Sequence, residues 1–206
     1  MIKKIISPVG ICHPKYLQYV KWSFLSNIIS ATLDTLGTHC TLSVLGTIDN
    51  NVIASYNYIG KNVVGQIGGL YFILNKSKSI DKNPKSFINK SIVYNSLSIY
   101  IESITVLLPV TSFIFVAGSA NILKNVSWTY YGAVNAKIIQ NLSIDNNISE
   151  IYSKITILNT ISSSIGMGVG LGLTSAIPDN NVRMGLIPIL ALMRMYTLDK
   201  ATSGLL

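Results

Sequence analysis

Charged side chains are scarce in this sequence. Of its 206 residues, 12% are charged and 49% are hydrophobic, whereas soluble globular domains have about 25% charged residues. The chain therefore lacks the charge that normally covers the surface of a soluble domain. This composition predicts a membrane-embedded helical protein. The length of the chain is enough for one domain.

Arginine is scarcer still. Of the 16 basic residues, only Arg183 and Arg194 are arginines. Bidentate recognition of phosphate groups depends on arginine, so the net charge of +8 does not indicate nucleic-acid binding. The lysines lie mostly between the apolar segments, where positive charges flank membrane spans. We therefore expect the lipid bilayer as a partner and no nucleic acid.

Cysteine and histidine number two each, in the adjacent pairs Cys12–His13 and His39–Cys40. Four such side chains would suffice for a tetrahedral zinc site. Adjacent residues point in different directions, however, and the spacing matches no C-x-x-C pattern. We expect two buried thiols and two surface or hydrogen-bonded imidazoles, with no disulfide framework, no metal site and no cofactor.

Long apolar segments predict helices. The β-branched residues would also suit strands, but the segments lack hairpin signals, and a helix satisfies its own backbone in a bilayer. Pro109 separates two helices because proline removes a helix hydrogen bond. The fold predicted is all-α, a polytopic helical membrane protein of six to eight helices. The segments are 16–36, 38–48, 52–74, 91–108, 110–124, 128–142, 148–177 and 183–200.

The domain organisation predicted is simple. An N-terminal segment covers residues 1–14, a single helical membrane domain covers 15–200, and a short tail covers 201–206. Residues 75–90, NKSKSIDKNPKSFINK, carry five lysines and one aspartate. This stretch predicts an exposed polar loop on the positive side of the membrane, available to acidic partners.

Two glycine clusters predict close helix–helix contacts. Glycines spaced four residues apart form a flat strip on a helix, where another backbone can approach. Flexibility or a kink is the alternative role. The glycines concerned are Gly65, Gly68 and Gly69 in the first cluster and Gly166, Gly168, Gly170 and Gly172 in the second.

Polar residues inside the apolar segments are candidate functional residues. An ionisable group within a membrane segment is costly and usually faces the bundle interior. Glu102 is the only charge between Ser91 and Leu123, and a Lys61–Glu102 ion pair is one arrangement that would accommodate it. The candidates are Lys61, Asn62, Gln66, Asn95, Glu102 and Lys124.

Several blocks of the sequence together resemble the root UVB sensitive (RUS) family. The first three are PKYLQYVKWSFL (14–25), LGTHCTLSVLG (36–46) and KNVVGQIGG (61–69). Further blocks follow in the family's order, and the resemblance covers about residues 8–200. These later blocks are DKNPK (81–85), SANILKNVS (119–127), GAVNAK (132–137) and DNNISEIYSK (145–154).

The chain also departs from the family pattern. Asn62 stands where the family has an aspartate, and Asn135 stands near the place of an arginine. Similar proteins carry a further C-terminal region. The resemblance implies an all-helical, membrane-associated protein of mitochondria or plastids, with links to vitamin B6 balance and to partner binding.

Two functions follow as expectations. The first is a non-enzymatic scaffold that binds other membrane subunits. It would be an accessory subunit of a larger organellar complex, such as a respiratory-chain assembly in the mitochondrial inner membrane, or a plastid equivalent.

The second is a carrier or binder of a small metabolite, for example a vitamin B6-related compound. Lys61, Asn95, Glu102 and Lys124 would then line a polar cavity. An enzyme has less support because the sequence has no Ser-His-Asp arrangement, paired-carboxylate motif or phosphate loop. A Schiff base on Lys61 or Lys124 would be the chemistry to consider.

Overall fold

The computed structural model describes residue 8 and residues 11–206, without the side chains of residues 73 and 75–78. Within that part, six long helices confirm the all-α class. Short 3₁₀ turns, Thr105–Leu107 and Val110–Ser112, lie between the third and fourth helices. The helices are α1 Tyr16–Leu45, α2 Asn51–Ile80, α3 Pro84–Ile104, α4 Phe113–Leu142, α5 Ile148–Ala176 and α6 Asn180–Thr202.

Two predicted helix boundaries are absent. Segments 16–36 and 38–48 form the single helix α1, in which Gly37 allows close packing against Ile99 of α3. Segments 110–124 and 128–142 likewise join in α4. Polar residues at that junction are tolerated because they find partners: the Ser127 hydroxyl donates a 2.6 Å hydrogen bond to the carbonyl oxygen of Ser91.

The break at Pro109 is confirmed, since α3 ends at Ile104 and α4 begins at Phe113. The prediction of a polar loop at 75–90 is wrong. Helix α2 continues to Ile80, and α3 begins at Pro84 after a short turn. Asn83 caps α3 by accepting a 3.2 Å hydrogen bond from the backbone N–H of Ser86, which is the interaction that makes asparagine a good helix start.

The bundle has α1 and α4 at its centre. Helix α1 packs against α5 and α6, while α4 packs against α2 and α3. The main core includes Tyr16 and Tyr19 of α1, Ile92 of α3, and Ile138 and Leu142 of α4. Few contacts join α4 to α5, so these two helices stand apart and leave space beside α1.

The chain ends differ from the predicted segments. Most of the N-terminal segment 1–14 lies outside the described residues. The backbone of Cys12 pairs with that of Ser143 in an isolated antiparallel β-bridge. The tail 201–206 is part of the packed structure. Leu205 is buried, and its carbonyl oxygen accepts a 2.7 Å hydrogen bond from the Asn141 amide.

The outer surface of the bundle is rich in apolar side chains. Helix α2 exposes Tyr56, Ile59, Ile67, Leu70 and Tyr71, among others. Among the described residues, the helix that is long and apolar enough to cross a membrane is α5. The segments from which the sequence predicts crossings, 52–74 and 91–124, do not meet that criterion as described.

Candidate functional site

Glu102 of α3 is the central acid of a buried charge network. It is 1% exposed, and its carboxylate oxygens lie 3.6 Å from the Lys61 amine of α2 and 2.7 Å from the Lys124 amine of α4. Lys124 also lies 3.9 Å from Asp34 of α1. Four helices therefore contribute one charged side chain each, and the charges alternate in sign, which offsets part of the cost of burying them.

Gly37 of α1 makes room for this network. A Cβ at that position would lie 2.6 Å from the Oε2 atom of Glu102 and 3.3 Å from the Cγ2 atom of Ile99. Real side chains do not approach so closely, so any larger residue would displace the carboxylate. Glycine at 37 thus leaves the Glu102 carboxylate in its place between α1 and α3.

A cavity of about 710 Å³ lies beside the network. Its volume falls within the range of small-molecule sites. Along α1 its lining extends from Asn27 to Leu42, which corresponds to roughly 22 Å of helix. The lining residues are Asn27, Ser30, Ala31, Asp34, Thr35, Thr38, His39, Leu42, Asn95, Lys124, Ser127, Trp128, Tyr131, Asn159, Ser163, Met167, Leu171 and Arg194.

The helical repeat explains this lining. Lys124, Ser127, Trp128 and Tyr131 occupy one face of α4 at spacings of three and four residues. The residues from α5 are spaced four apart, starting at Asn159. The side chains of Asn27 and Asn159 form a 2.5 Å hydrogen bond that joins α1 to α5.

Charged and amide groups form the polar part of the cavity lining, here called the polar floor: Asp34, Asn95, Lys124 and Arg194. Arg194 of α6 attracts the Asp34 carboxylate electrostatically. Among the described residues, the Nε and Nη1 atoms of Arg194 and both amide atoms of Asn95 are buried without a hydrogen-bond partner. Buried polar atoms are normally bonded, so the polar floor has unused donors and acceptors.

His39 lies elsewhere in the lining and belongs to a second polar group. The Arg183 guanidinium lies 3.1 Å from its Nδ1 atom. The neighbouring Cys40 thiol donates a 3.3 Å hydrogen bond to the Asn180 side chain. The second Cys–His pair, Cys12 and His13, lies near the opposite end of α1, so the two pairs do not converge on one site.

The glycines of α2 lie at a close contact with α4. A Cβ at Gly65 would lie 2.5 Å from the Asn121 amide, one at Gly68 would lie 2.6 Å from Ile122, and one at Gly69 would lie 2.8 Å from Asn125. These three neighbours all belong to α4. The first glycine cluster therefore allows α2 and α4 to pack closely.

The second cluster divides into two faces of α5. Gly166 packs against the backbone carbonyl of Ile28, and a Cβ at Gly170 would lie 2.6 Å from Thr35. No atom of the described residues lies within 4 Å of a Cβ at Gly168 or Gly172. Residues two apart on a helix point in different directions, so Gly168 and Gly172 face away from α1, and their packing role stays a prediction.

The candidate polar residues do not all reach the cavity. Asn95 and Lys124 line it, whereas Lys61 and Glu102 lie behind Lys124 and are absent from its lining. Gln66 is exposed and lines a small surface pocket together with Asn125 and Thr129 of α4. Asn62 accepts a 3.1 Å hydrogen bond from the Asn121 amide, so it belongs to the α2–α4 contact.

Three functional positions were missed by the sequence interpretation: Asp34, Gly37 and Arg194. The cost of a charge in an apolar helix, which identified Glu102, applies equally to Asp34 and Arg194. Gly37 stands alone and gives no such signal. Asn135 also has a specific role, since it accepts a 2.8 Å hydrogen bond from the Tyr19 hydroxyl.

Comparison with known proteins identifies relatives along most of the chain. Residues 5–205 match the family model described as "Vitamin B6 photo-protection and homoeostasis domain". The chain is 26% identical over 187 residues to "Protein root UVB sensitive 4" of Arabidopsis thaliana, covering 89% of the chain and 36% of that protein. No solved structure gives a significant match.

Two further relatives show the same pattern. "Protein root UVB sensitive 2, chloroplastic" of Arabidopsis thaliana is 25% identical, with 92% of the chain and 44% of that protein covered. "RUS family member 1" of Dictyostelium discoideum is 23% identical, with 80% and 32% covered. The chain thus spans less than half the length of these relatives. Because the family model matches nearly the whole chain, the protein belongs to the root UVB sensitive family.

Proposed function

We propose that this chain is a non-enzymatic membrane protein that binds or carries a small metabolite in the cavity beside α1. The observation that carries the proposal is the cavity of about 710 Å³, which has a charged polar floor and aromatic walls. Sites for small molecules typically combine a largely apolar lining with a few polar groups that orient the ligand. The scaffold function, which was the first expectation from the sequence, is proposed as the second candidate.

The description of the family domain, vitamin B6 photo-protection and homoeostasis, suggests a pyridine-type ligand. Trp128 and Tyr131 supply aromatic faces against which such a ring packs. Asp34 and Asn95 supply polar partners for its ring nitrogen and hydroxyl groups. Since the chain covers only part of its relatives' length, this ligand class is proposed from the cavity and the domain description together.

The non-enzymatic role rests on the two candidate nucleophiles: Lys61 does not line the cavity, whereas Lys124 does. Lys124 is held by Glu102 at 2.7 Å and by Asp34 at 3.9 Å. A lysine that attacks an aldehyde must be free and neutral, and two neighbouring carboxylates favour the charged amine. The geometry therefore favours binding over Schiff-base chemistry.

Binding is tested with the purified chain in detergent micelles, by titration with pyridoxine, pyridoxal and pyridoxal 5′-phosphate. A Trp22→Phe background leaves Trp128 as the single tryptophan, because the chain has two. Saturable quenching of Trp128 fluorescence by one of the vitamers is expected. No saturation with any of them up to millimolar concentration would contradict the vitamin B6 assignment.

A matched pair of variants locates the site. Ser163 lines the cavity, whereas its neighbour Ser164 is exposed on the outer side of α5. Binding to these variants is measured by equilibrium dialysis, which does not depend on Trp128 fluorescence. Ser163→Trp places a large side chain in the cavity and is expected to abolish binding, whereas Ser164→Trp is expected to preserve it. Equal binding by both variants would place the ligand elsewhere.

The membrane location is proposed from the outer surface. Helices α2 and α5 expose many large apolar side chains, and extensive exposed apolar surface is typical of a membrane or protein contact. Several helices would then cross the bilayer around the cavity. An organellar membrane is proposed, with the mitochondrial inner membrane as the expected place. The "chloroplastic" label of one relative suggests a plastid membrane as the other.

The second candidate is a scaffold, an accessory subunit of a larger membrane complex such as a respiratory-chain assembly. The outward face of α2 favours it, because Tyr56, Tyr71 and Phe72 are exposed there, and aromatic residues are enriched at protein interfaces. Mild-detergent extraction, native gels and mass spectrometry test this. Stable co-migration with other membrane subunits supports the scaffold, and migration as a lone small species contradicts it.

A further inference from the structure

Lysine residues gather at one end of the helix bundle, here called the lysine end. Successive helices run in opposite directions, so the lysine end contains the starts of α1, α3 and α5 and the ends of α2, α4 and α6. An ion pair and two hydrogen bonds join these termini to one another. The contacts are Lys85–Asp199 (α3 to α6), Lys137–Asp81 (α4 to the turn after α2) and Asn147–Ile11 (α5 to the segment before α1).

The two ends of the bundle differ in charge. Within two helical turns of its termini, the lysine end carries eight lysines with described side chains and four acidic residues. The opposite end carries no lysine in the described part of the chain, and its charged residues are Asp49, Glu102, Asp179 and Arg183. The surplus of positive charge is therefore on one side only. The eight lysines are Lys15, Lys21, Lys82, Lys85, Lys90, Lys137, Lys154 and Lys200, and the four acids are Asp81, Asp145, Glu150 and Asp199.

Four lysines of the lysine end are exposed and have no carboxylate within ion-pair distance among the described residues. Lys85 and Lys154, by contrast, are paired with acids at 3.3 Å and 3.7 Å. The four unpaired lysines come from α1, the turn after α2, α3 and α6, so their charge is spread across the end of the bundle. They are Lys21, Lys82, Lys90 and Lys200.

Three of these four lysines lie against aromatic rings. The pairs, with the distance from the amine to the ring centre, are Lys21–Trp22 (5.8 Å), Lys90–Phe87 (4.7 Å) and Lys200–Tyr196 (5.6 Å). Tryptophan and tyrosine are enriched where a membrane meets water. A lysine beside them packs its apolar stem on the protein and extends its amine towards the headgroups. The lysine end thus combines the residue types that the headgroup layer of a bilayer accommodates.

From the one-sided charge and the lysine–aromatic pairs, we infer that the lysine end is a surface that binds the headgroups of anionic phospholipids in one leaflet. This inference rests on the proposed membrane location and does not depend on the ligand of the cavity. Basic residues beside a membrane attract anionic lipids through their charge, and lysine contacts a phosphate as a point charge. The two arginines, Arg183 and Arg194, both lie away from this end. Since bidentate recognition of protein carboxylates depends on arginine, lipid is favoured over an acidic protein.

The test uses the two tryptophans as reporters. Trp22 lies at the lysine end, whereas Trp128 lies near the middle of α4. Single-tryptophan chains, Trp128→Phe and Trp22→Phe, are reconstituted in phosphatidylcholine vesicles. The vesicles contain about 20 mol% of either brominated phosphatidylglycerol, which is anionic like a charged leaflet, or brominated phosphatidylcholine. Bromine quenches a tryptophan that it contacts, so quenching reports which lipid lies beside each reporter.

Trp22 should show a relative association constant about threefold to tenfold higher for the anionic brominated lipid than for the zwitterionic one at low salt. Trp128 should show no such preference. In about 1 M NaCl, charges are screened within about 3 Å, and most of the preference of Trp22 should disappear.

A matched pair of variants assigns the preference to the lysines. Lys21→Gln combined with Lys200→Gln removes two charges next to Trp22, whose ring lies 5.9 Å from that of Tyr196. This variant should bring the two lipids within about twofold of each other. Lys21→Arg combined with Lys200→Arg keeps both charges and should keep the preference. A preference that persists undiminished in the glutamine variant would overturn the assignment to these lysines.

The outcomes separate this inference from the membrane proposal. If both brominated lipids quench Trp22 equally at low salt, the headgroup inference is overturned while the membrane location stands. If neither lipid quenches either tryptophan, both proposals fall. Should the glutamine variant fail to fold, the comparison of the two lipids at low and high salt still decides the result. Saturable binding of a glutamate-rich peptide, without any preference for the anionic lipid, would make the lysine end a protein site and overturn the lipid assignment.

Discussion

The Glu102 carboxylate and the Lys124 amine lie 2.7 Å apart and link α3 to α4 within the bundle. Lys61 approaches the same carboxylate at 3.6 Å from α2. One acid therefore compensates two amines. Removing its charge would leave both largely buried amines with much less compensation.

Glu102→Gln should accordingly lower the free energy of unfolding by about 3–5 kcal/mol, the usual cost of breaking a buried ion pair. Chemical or thermal unfolding in detergent measures the loss. Asp199→Asn is the control, since Asp199 is 55% exposed in its pair with Lys85, and exposed pairs contribute about 0–1 kcal/mol. Equal effects of the two substitutions would contradict the central role of Glu102.

A second prediction uses two glycines of α5. Gly170→Leu inserts a side chain where a Cβ would already lie 2.6 Å from Thr35, so overpacking should destabilise the chain by about 1–3 kcal/mol or more. Gly172→Leu, on the same helix, enters open space. Accumulation in membranes and melting temperature should fall for the first substitution only. A parallel fall for both would mean that glycine matters at these positions for helix flexibility.

A third prediction concerns Gly37, where the sign of the change in unfolding free energy tests the close approach of α1 to α3. Gly37→Ala brings a methyl group to within 2.6 Å of Glu102 Oε2 and should cost about 1–3 kcal/mol. At Gly132 a Cβ would meet no atom of the described part of the chain within 4 Å, so Gly132→Ala should stabilise α4 by up to about 1 kcal/mol, the difference in helix propensity. Unfolding experiments on both variants should give shifts in opposite directions. A stabilising Gly37→Ala would show that α1 and α3 do not approach so closely.

The fourth prediction addresses the membrane. The exposed apolar residues of α2 and α5 lead us to expect that the chain stays in the pellet after carbonate extraction. A peripheral protein of the same membrane serves as the control for complete extraction. Quantitative release of the chain into the supernatant would remove the membrane proposal and leave a soluble helical bundle.

Much of the local structure follows from the sequence alone. The all-α class, the break at Pro109 and helix α5 at 148–176 depend on apolar runs and on proline, which act within a few residues. The burial of Glu102 was predictable for the same kind of reason, because an acid in an apolar helix needs an interior partner. The continuous helix α4 was missed, because the hydrogen bond from Ser127 to Ser91 joins residues far apart in the chain.

Only the tertiary structure decided which residues meet. Asp34 and Arg194 come from the first and last helices, and their common place at the cavity depends on how α1 and α6 cross. In the run 166–172, four glycines repeat at every second position, yet Gly170 packs on α1 and Gly172 faces open space. The sequence marks all four alike. Their roles differ because the rotation of α5 about its axis is determined by packing against α1, which no local pattern encodes.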